Sequence, residues 1–314
     1  MKRVLTAVVL IPLVLMLIFK SPLWLMSLVL AVLAYGCVRE FELLSRAQGI
    51  ELAGRFLRIF VTLPFLCPLL YYVPAIRPAL AGSSFEDFGS IGTMFVTPVF
   101  LLAPFFFVMA LMFRDMSKCL SGAAASVFGL IYIGGSLFSL WLLWLGNFGS
   151  LFVLHLMLVV WSGDISAYYV GKNLGRHKLA PQISPGKTWE GTVASFFVSV
   201  ALGTTILVYL QPVYEWLFQY RLVPSIGWIG WSSTIPQFPL WFAVAASALV
   251  NIAAQFGDLV ESALKRAANV KDSGTILPGH GGLLDRIDAL LFAGPVAMLV
   301  FAVGTKLFRS TIVF

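Results

Sequence analysis

Apolar stretches long enough to cross a bilayer recur along this chain, separated by short polar segments. A helix rising 1.5 Å per residue needs about 20 residues to span the hydrocarbon layer. The pattern predicts nine spans, at 4–19, 23–38, 56–73, 92–113, 122–145, 151–171, 190–211, 239–265 and 288–307. The first two are short enough to form one tight helical hairpin, and Gly134-Gly135 offers a breaking point in the fifth. The expected fold is all-α: a polytopic integral membrane protein with about nine transmembrane helices. Met1-Lys2-Arg3 before an apolar run can be read as a signal peptide, but no small-residue cleavage site follows. Residues 4–19 are therefore read as a retained first helix.

Composition agrees with the pattern. Of 314 residues, 60% are hydrophobic and 11% charged, against about 45–50% and about 25% in soluble domains. This excludes a soluble domain on a single anchor. Lys and Arg accumulate on cytoplasmic loops of membrane proteins. With the N-terminus inside, the cytoplasmic side receives sixteen of the 21 basic residues, leaving Lys20, Arg77, Arg221, Lys306 and Arg309 outside, with the C-terminus. The net charge of +7 is thus concentrated on one membrane face. The basic residues at 2–118, where nothing else accompanies the charge, read equally as an orientation signal or as functional. In loops 172–190 and 265–288 they are mixed with Gly, Pro, Ser, Thr, His and acids, which orientation does not require. The chain divides on this basis into N-terminal transmembrane helices, 1–150, and a C-terminal catalytic region, 151–314. Cys37, Cys67 and Cys119 lack metal-like spacing, and Trp216, Trp228 and Trp231 in the outer segment 212–238 read as interfacial anchors.

Three acidic residues sit where charge is costly. Asp164 follows the apolar run 151–161, and Asp258 and Glu261 lie late in span 239–265. A carboxylate near the bilayer centre costs about 2.5–3.5 kcal/mol on insertion scales and usually marks a site. Asp258, Glu261, Ser262 and Lys265 fall at i, i+3, i+4 and i+7, one helical face. Next comes a loop with Lys271-Asp272 and the run Gly279-His280-Gly281-Gly282, whose glycines let backbone amides turn inward as an anion nest. Asp285-Arg286-Ile287-Asp288 opens the ninth span with two aspartates on one face at a helix N-terminus. Hard oxygen ligands beside a phosphate cradle suit Mg²⁺; zinc is not expected, because the three histidines are dispersed and far from cysteine. His280 reads equally as a phosphate donor or a turn residue. In the other loop, Gly186-Lys187-Thr188 resembles a phosphate loop only superficially, its context being helical and Pro-rich. Lys187 can still neutralise a triphosphate, and Thr188 can lend an oxygen.

The stretch Ser262-Ala263-Leu264-Lys265-Arg266, Lys271-Asp272, Pro278-Gly279-His280-Gly281-Gly282 and Asp285-Arg286-Ile287-Asp288 resembles the signature of bacterial phosphatidate cytidylyltransferases. So does the Asp164 to Gly191 run with Ser184-Pro185-Gly186-Lys187-Thr188-Trp189-Glu190-Gly191. Gly191-Thr192-Val193-Ala194-Ser195 departs from the family pattern in lacking a further glycine pair. The resemblance implies CMP transfer from CTP to phosphatidic acid, giving CDP-diacylglycerol and pyrophosphate. It further implies a Mg²⁺ requirement with room for a second cation, a bacterial inner-membrane location with a cytoplasmic active site, and a homodimer; no nucleic-acid partner is expected. On that reading Asp258, Asp285 and Asp288 hold metal, and Lys187, Lys265, Arg266 and Arg286 face phosphates. Asp164, Ser184, Thr188, Glu261, Ser262, Lys271, Asp272, Gly279, His280, Gly281 and Gly282 complete the substrate site. Two rivals are weighed against it. An ion-coupled transporter would show midplane sites on repeat-related broken helices, whereas here the polar residues gather at one face. A CDP-alcohol phosphotransferase would carry a multiple-aspartate helix motif, which is absent.

Overall fold

In lipid a helix is the single-segment structure that satisfies its own backbone, and the described parts of the expected spans are helical over nearly their whole length. The computed structural model describes residues 2–66, 69, 101–112, 116–146, 148–222, 235–275 and 281–308. Its helices are α1 (Lys2–Lys20), α2 (Leu23–Ala47), α3 (Gly54–Leu66), α4 (Leu101–Met112), α5 (Cys119–Gly129), α6 (Ser136–Leu145), α7 (Gly149–Leu174), α8 (Trp189–Val208), α9 (Leu210–Gln219), α10 (Leu240–Ala267) and α11 (Leu284–Leu307). Among the described residues six helical stretches are long and apolar enough to cross a membrane: α2, the run Met116–Leu145, α7, α8, α10 and α11. The expected spans 56–73 and 92–113 lie partly outside the described residues.

Three local expectations are corrected. The second span does not end at residue 38, because α2 continues to Ala47 with Arg39, Glu40, Glu42 and Arg46 in helical register. The charge of Glu42 is answered by protein: it pairs with Arg46 one turn on, at 2.7 Å, and with Arg58 of α3. Gly134-Gly135 does not break the fifth span. Leu130–Gly135 forms a π-helical turn that carries α5 into α6, and Gly134 lets the turn approach Val61. Finally, the immediate context of Lys187 is not purely helical. α7 runs on to Leu174, and β1 (Lys178–Ala180) pairs antiparallel with β2 (Ser184–Thr188), so Lys187 sits on a strand that leads directly into α8.

The chain forms two compact units. The first comprises Ser21–Trp141 and Leu264–Ile287, with the first six residues; the second comprises Ala7–Lys20, Leu142–Ala263 and Asp288–Phe314. In the first, α2 packs on α3 and on the π turn, with Phe41, Leu57, Val61, Phe65 and Ile133 almost wholly buried. In the second, α7 lies along α8, and a polar seam joins them to α10. Asn251 Nδ2 donates to Ser195 Oγ at 3.1 Å and Ser199 Oγ at 3.0 Å, Gln255 Nε2 donates to Asn251 Oδ1 at 2.6 Å, and Ser199 Oγ donates to the Val159 carbonyl at 2.8 Å. A Cβ at Gly163 would come within 2.8 Å of both serine hydroxyls, so this approach requires glycine. Between membrane helices, where lipid is as apolar as leucine, small residues and such hydrogen bonds supply the association that hydrophobicity cannot.

Candidate functional site

In the first unit the site is built around Asp285. The first turn of α11 carries unsatisfied amides and a positive dipole end, which favour a carboxylate there. Asp285 Oδ2 accepts from Ser273 N at 2.9 Å, Gly282 N at 2.8 Å and Ser273 Oγ at 3.0 Å, while Oδ1 accepts from Lys265 Nζ at 2.6 Å. The pair is well enclosed, with 13% of the Lys265 side chain and 6% of the Asp285 side chain exposed. Lys265 reaches it from the last turn of α10, which ends with Asn269 in the left-handed region (φ 55°) and Arg266 Nη1 donating to the Val270 carbonyl at 3.1 Å. Gly281 is also left-handed (φ 79°), and a Cβ there would meet Asp285 Oδ2 at 2.7 Å.

The sequence reading missed Glu40. This α2 carboxylate is 1% exposed and accepts from Ser273 Oγ, Leu283 N and Leu284 N, each at 2.8 Å. A Cβ at Gly282 would overlap it, at 2.4 Å from Oε2. The glycine pair does turn backbone amides inward, and the anions those amides hold here are the protein's own carboxylates, Asp285 and Glu40. Lys271, Asp272, Arg266 and Arg286 are exposed around this core. Gly279 and His280 lie outside the described residues.

In the second unit Lys187 Nζ, on β2, lies 2.6 Å from Asp258 Oδ2 on α10, with 24% and 36% of the two side chains exposed. Asp164, on α7, stands within electrostatic reach of both. Ser262 Oγ lies 3.5 Å from Asp258 Oδ1, and Glu261 is fully buried. Gly257 brings the α10 backbone against α11, since a Cβ there would meet the Asp288 carbonyl oxygen at 2.6 Å. Asp258 and Asp288 therefore flank one helix–helix approach. Ser184 is half-buried at the start of β2. Thr188 is 5% exposed, and its Oγ1 accepts from Gly191 N at 3.2 Å as the N-cap of α8. That cap, worth about 1 kcal/mol, fixes the strand-to-helix turn on which Lys187 is carried. His177 Nδ1 lies 2.7 Å from Glu190 Oε1 across the base of the hairpin.

Each unit thus presents a lysine–aspartate pair on a scaffold of membrane-crossing helices, with Lys187, Lys265 and Asp285 drawn from the segments of mixed polar composition and Asp258 from α10. The cytidylyltransferase family model matches residues 1–303. The chain belongs to the cytidylyltransferase family. Three members of similar sequence are the phosphatidate cytidylyltransferases of Bacillus subtilis, 37% identical over 158 residues, Brucella abortus, 40% over 185 residues, and Thermotoga maritima, 35% over 307 residues. The matches cover 50%, 58% and 96% of this chain and 50%, 59% and 96% of those cytidylyltransferases. The chain therefore spans about half the length of the first two and nearly all of the third.

Proposed function

We propose that the chain transfers CMP from CTP to the phosphate of phosphatidic acid, giving CDP-diacylglycerol and pyrophosphate at the cytoplasmic face of a bacterial inner membrane. The observation that carries this reading is the pairing of Lys187 with Asp258 and Lys265 with Asp285: Lys187, Lys265 and Asp285 lie in the two segments that resemble the family signature, and Asp258 lies one helical turn before the Ser262 stretch. On this reading each ammonium would neutralise a phosphate and each carboxylate a cation. In each pair the opposite charges satisfy one another. A magnesium-bound triphosphate brings both charges at once and can replace both partners, which limits the desolvation penalty of loading the site.

The donor set fits Mg²⁺. Among the described residues no three of His, Cys, Asp and Glu converge, and Mg²⁺ asks for only one or two carboxylates completed by water and phosphate oxygens. The candidate carboxylates are Asp285 in the first unit and Asp258 and Asp288 in the second; one or two of them would hold it, with water and phosphate oxygens completing its shell, and when bound it would offset charge on the phosphates. The protein's own part is electrostatic and positional. A phosphate oxygen of the lipid attacks the α-phosphorus of CTP, a phosphorus–oxygen bond forms there, and the bond to the β-phosphate breaks to release pyrophosphate. The lipid phosphate carries one to two negative charges near neutral pH, as phosphorylated side chains do, so the attack needs little help from a general base. Lys187, Lys265, Arg266 and Arg286 would neutralise the phosphates.

The test is a detergent assay with phosphatidic acid and CTP labelled at either phosphate. Label at the α position is expected in the lipid phase and label at the γ position in aqueous pyrophosphate; α label that stays in water rejects the reading. The proposed orientation has its own check. Cysteines introduced at the exposed positions Gln182 and Lys271 should react with an impermeant reagent from the cytoplasmic side, and one at Gln219 from the other side. Labelling of Gln182 and Gln219 from one side sinks this topology. The homodimer implied by the family resemblance is checked by the mass of the protein in detergent.

A further inference from the structure

Glu40 lies 17 residues into α2, within a membrane-crossing stretch where a carboxylate is expensive. Its oxygens divide their work. Oε1 accepts from Leu283 N, while Oε2 accepts from Leu284 N and Ser273 Oγ. One side chain thereby holds both ends of the signature loop: Ser273, where the chain leaves α10, and the first turn of α11, where it returns. Asp285 is bonded to the same Ser273 and to the amide beside Leu283. Ser273 has one hydroxyl hydrogen and stands 2.8 Å from Glu40 and 3.0 Å from Asp285, so the two carboxylates compete for it and are geometrically linked through it.

We propose that Glu40 is a positioning residue for nucleotidyl transfer: from α2 it clamps the base of the signature loop and so sets where Asp285 and its partner Lys265 stand. The inference rests on the proposed cytidylyl transfer and assigns to the N-terminal helices a part in it. Glutamine cannot replace the glutamate. Each oxygen receives a backbone N–H, so either orientation of the amide turns its –NH₂ against a donor. Aspartate keeps the charge but is one methylene short.

The experiment uses the full chain in detergent and compares the wild type with Glu40→Gln, Glu40→Asp and Leu57→Ala, the last a buried residue of the same unit on α3. Turnover, KM for both substrates, melting midpoint and backbone hydrogen exchange are read for each. Glu40→Gln should lower kcat by about 10- to 100-fold, as a displacement on the order of 1 Å does, with KM changed less than about threefold. Amides of 281–288 should exchange faster. Glu40→Asp should fall between the two, and Leu57→Ala should lower the midpoint while keeping kcat per folded molecule. Wild-type kcat in Glu40→Gln, or an equal kcat loss in Leu57→Ala, overturns the inference. If Glu40→Gln does not fold, wild-type kcat in Glu40→Asp does so. If the wild type itself leaves CTP unreacted, the reaction proposed above fails and the clamp is judged by amide exchange, where unchanged protection at 281–288 rejects it.

Discussion

Asp285→Asn should reduce turnover by at least about 100-fold and lower the melting midpoint as well. The rate loss follows from position, since a shift of about 1 Å at a reacting centre costs roughly that factor. The stability loss follows from the hydrogen bonds. Asp285 Oδ2 accepts two amides and Oδ1 faces the Lys265 ammonium, and an asparagine has one oxygen to offer to these two sides. If its oxygen faces the amides, –NH₂ meets the ammonium; if it is flipped, –NH₂ meets Ser273 N–H and Gly282 N–H. Removing one member of an enclosed ion pair costs about 3–5 kcal/mol, whereas replacing both members with neutral groups is often nearly neutral. The double variant Asp285→Asn with Lys265→Met should therefore recover much of the melting midpoint and none of the turnover. An Asp285→Asn protein that keeps more than half its activity contradicts the assignment; one that is inactive while melting like the wild type contradicts the structural part.

Much of this was legible from sequence, for reasons that differ by residue. The helices of residues 151–171 and 239–265 were readable because lipid leaves an apolar run of that length little alternative. Asp285 and Lys265 were singled out because charge mixed with a glycine cluster at a span's end exceeds what orientation requires, and the structure pairs them. Glu40 was not. It stands among Arg39, Glu42 and Arg46, which looked like the polar exit of a span, and its partners lie 233 to 244 residues away. The extension of α2 was hidden for the same reason, because a helix that answers its charges with protein no longer looks like one facing lipid. Gly281 and Gly282 were recognised as an inward-turning nest, yet no local pattern could say that its occupants are side chains. Asn251 was passed over because a polar side chain on a helix does not name its partners; Ser195, Ser199 and Gly163 on two other helices are what make it a seam.

The remaining prediction concerns Lys187 and Asp258, whose 2.6 Å pair is more open than that of Asp285. If Asp258 belongs to the magnesium site, Lys187 is an internal competitor for the same carboxylate whenever nucleotide is absent. A cation must then displace an ammonium that already neutralises the oxygen, and the competitor weakens its apparent binding. The two partners should consequently respond in opposite directions. Lys187→Ala frees the carboxylate, next to the Asp164 charge, and should lower the Mg²⁺ concentration that half-maximally raises the melting midpoint. Asp258→Asn removes a ligand and should raise that concentration or abolish the response. By mass action, protection grows by RT ln(1 + [Mg²⁺]/Kd), so a tenfold change in affinity shifts the curve tenfold along the concentration axis. Turnover should fall by at least about tenfold in both variants, because Lys187→Ala loses a phosphate-neutralising charge even as it gains metal. A melting series in Mg²⁺ without nucleotide, run on the wild type and both variants, separates these effects from catalysis. Three superimposable curves would show that Asp258 is no ligand and that the Lys187 pair is a structural tie between β2 and α10.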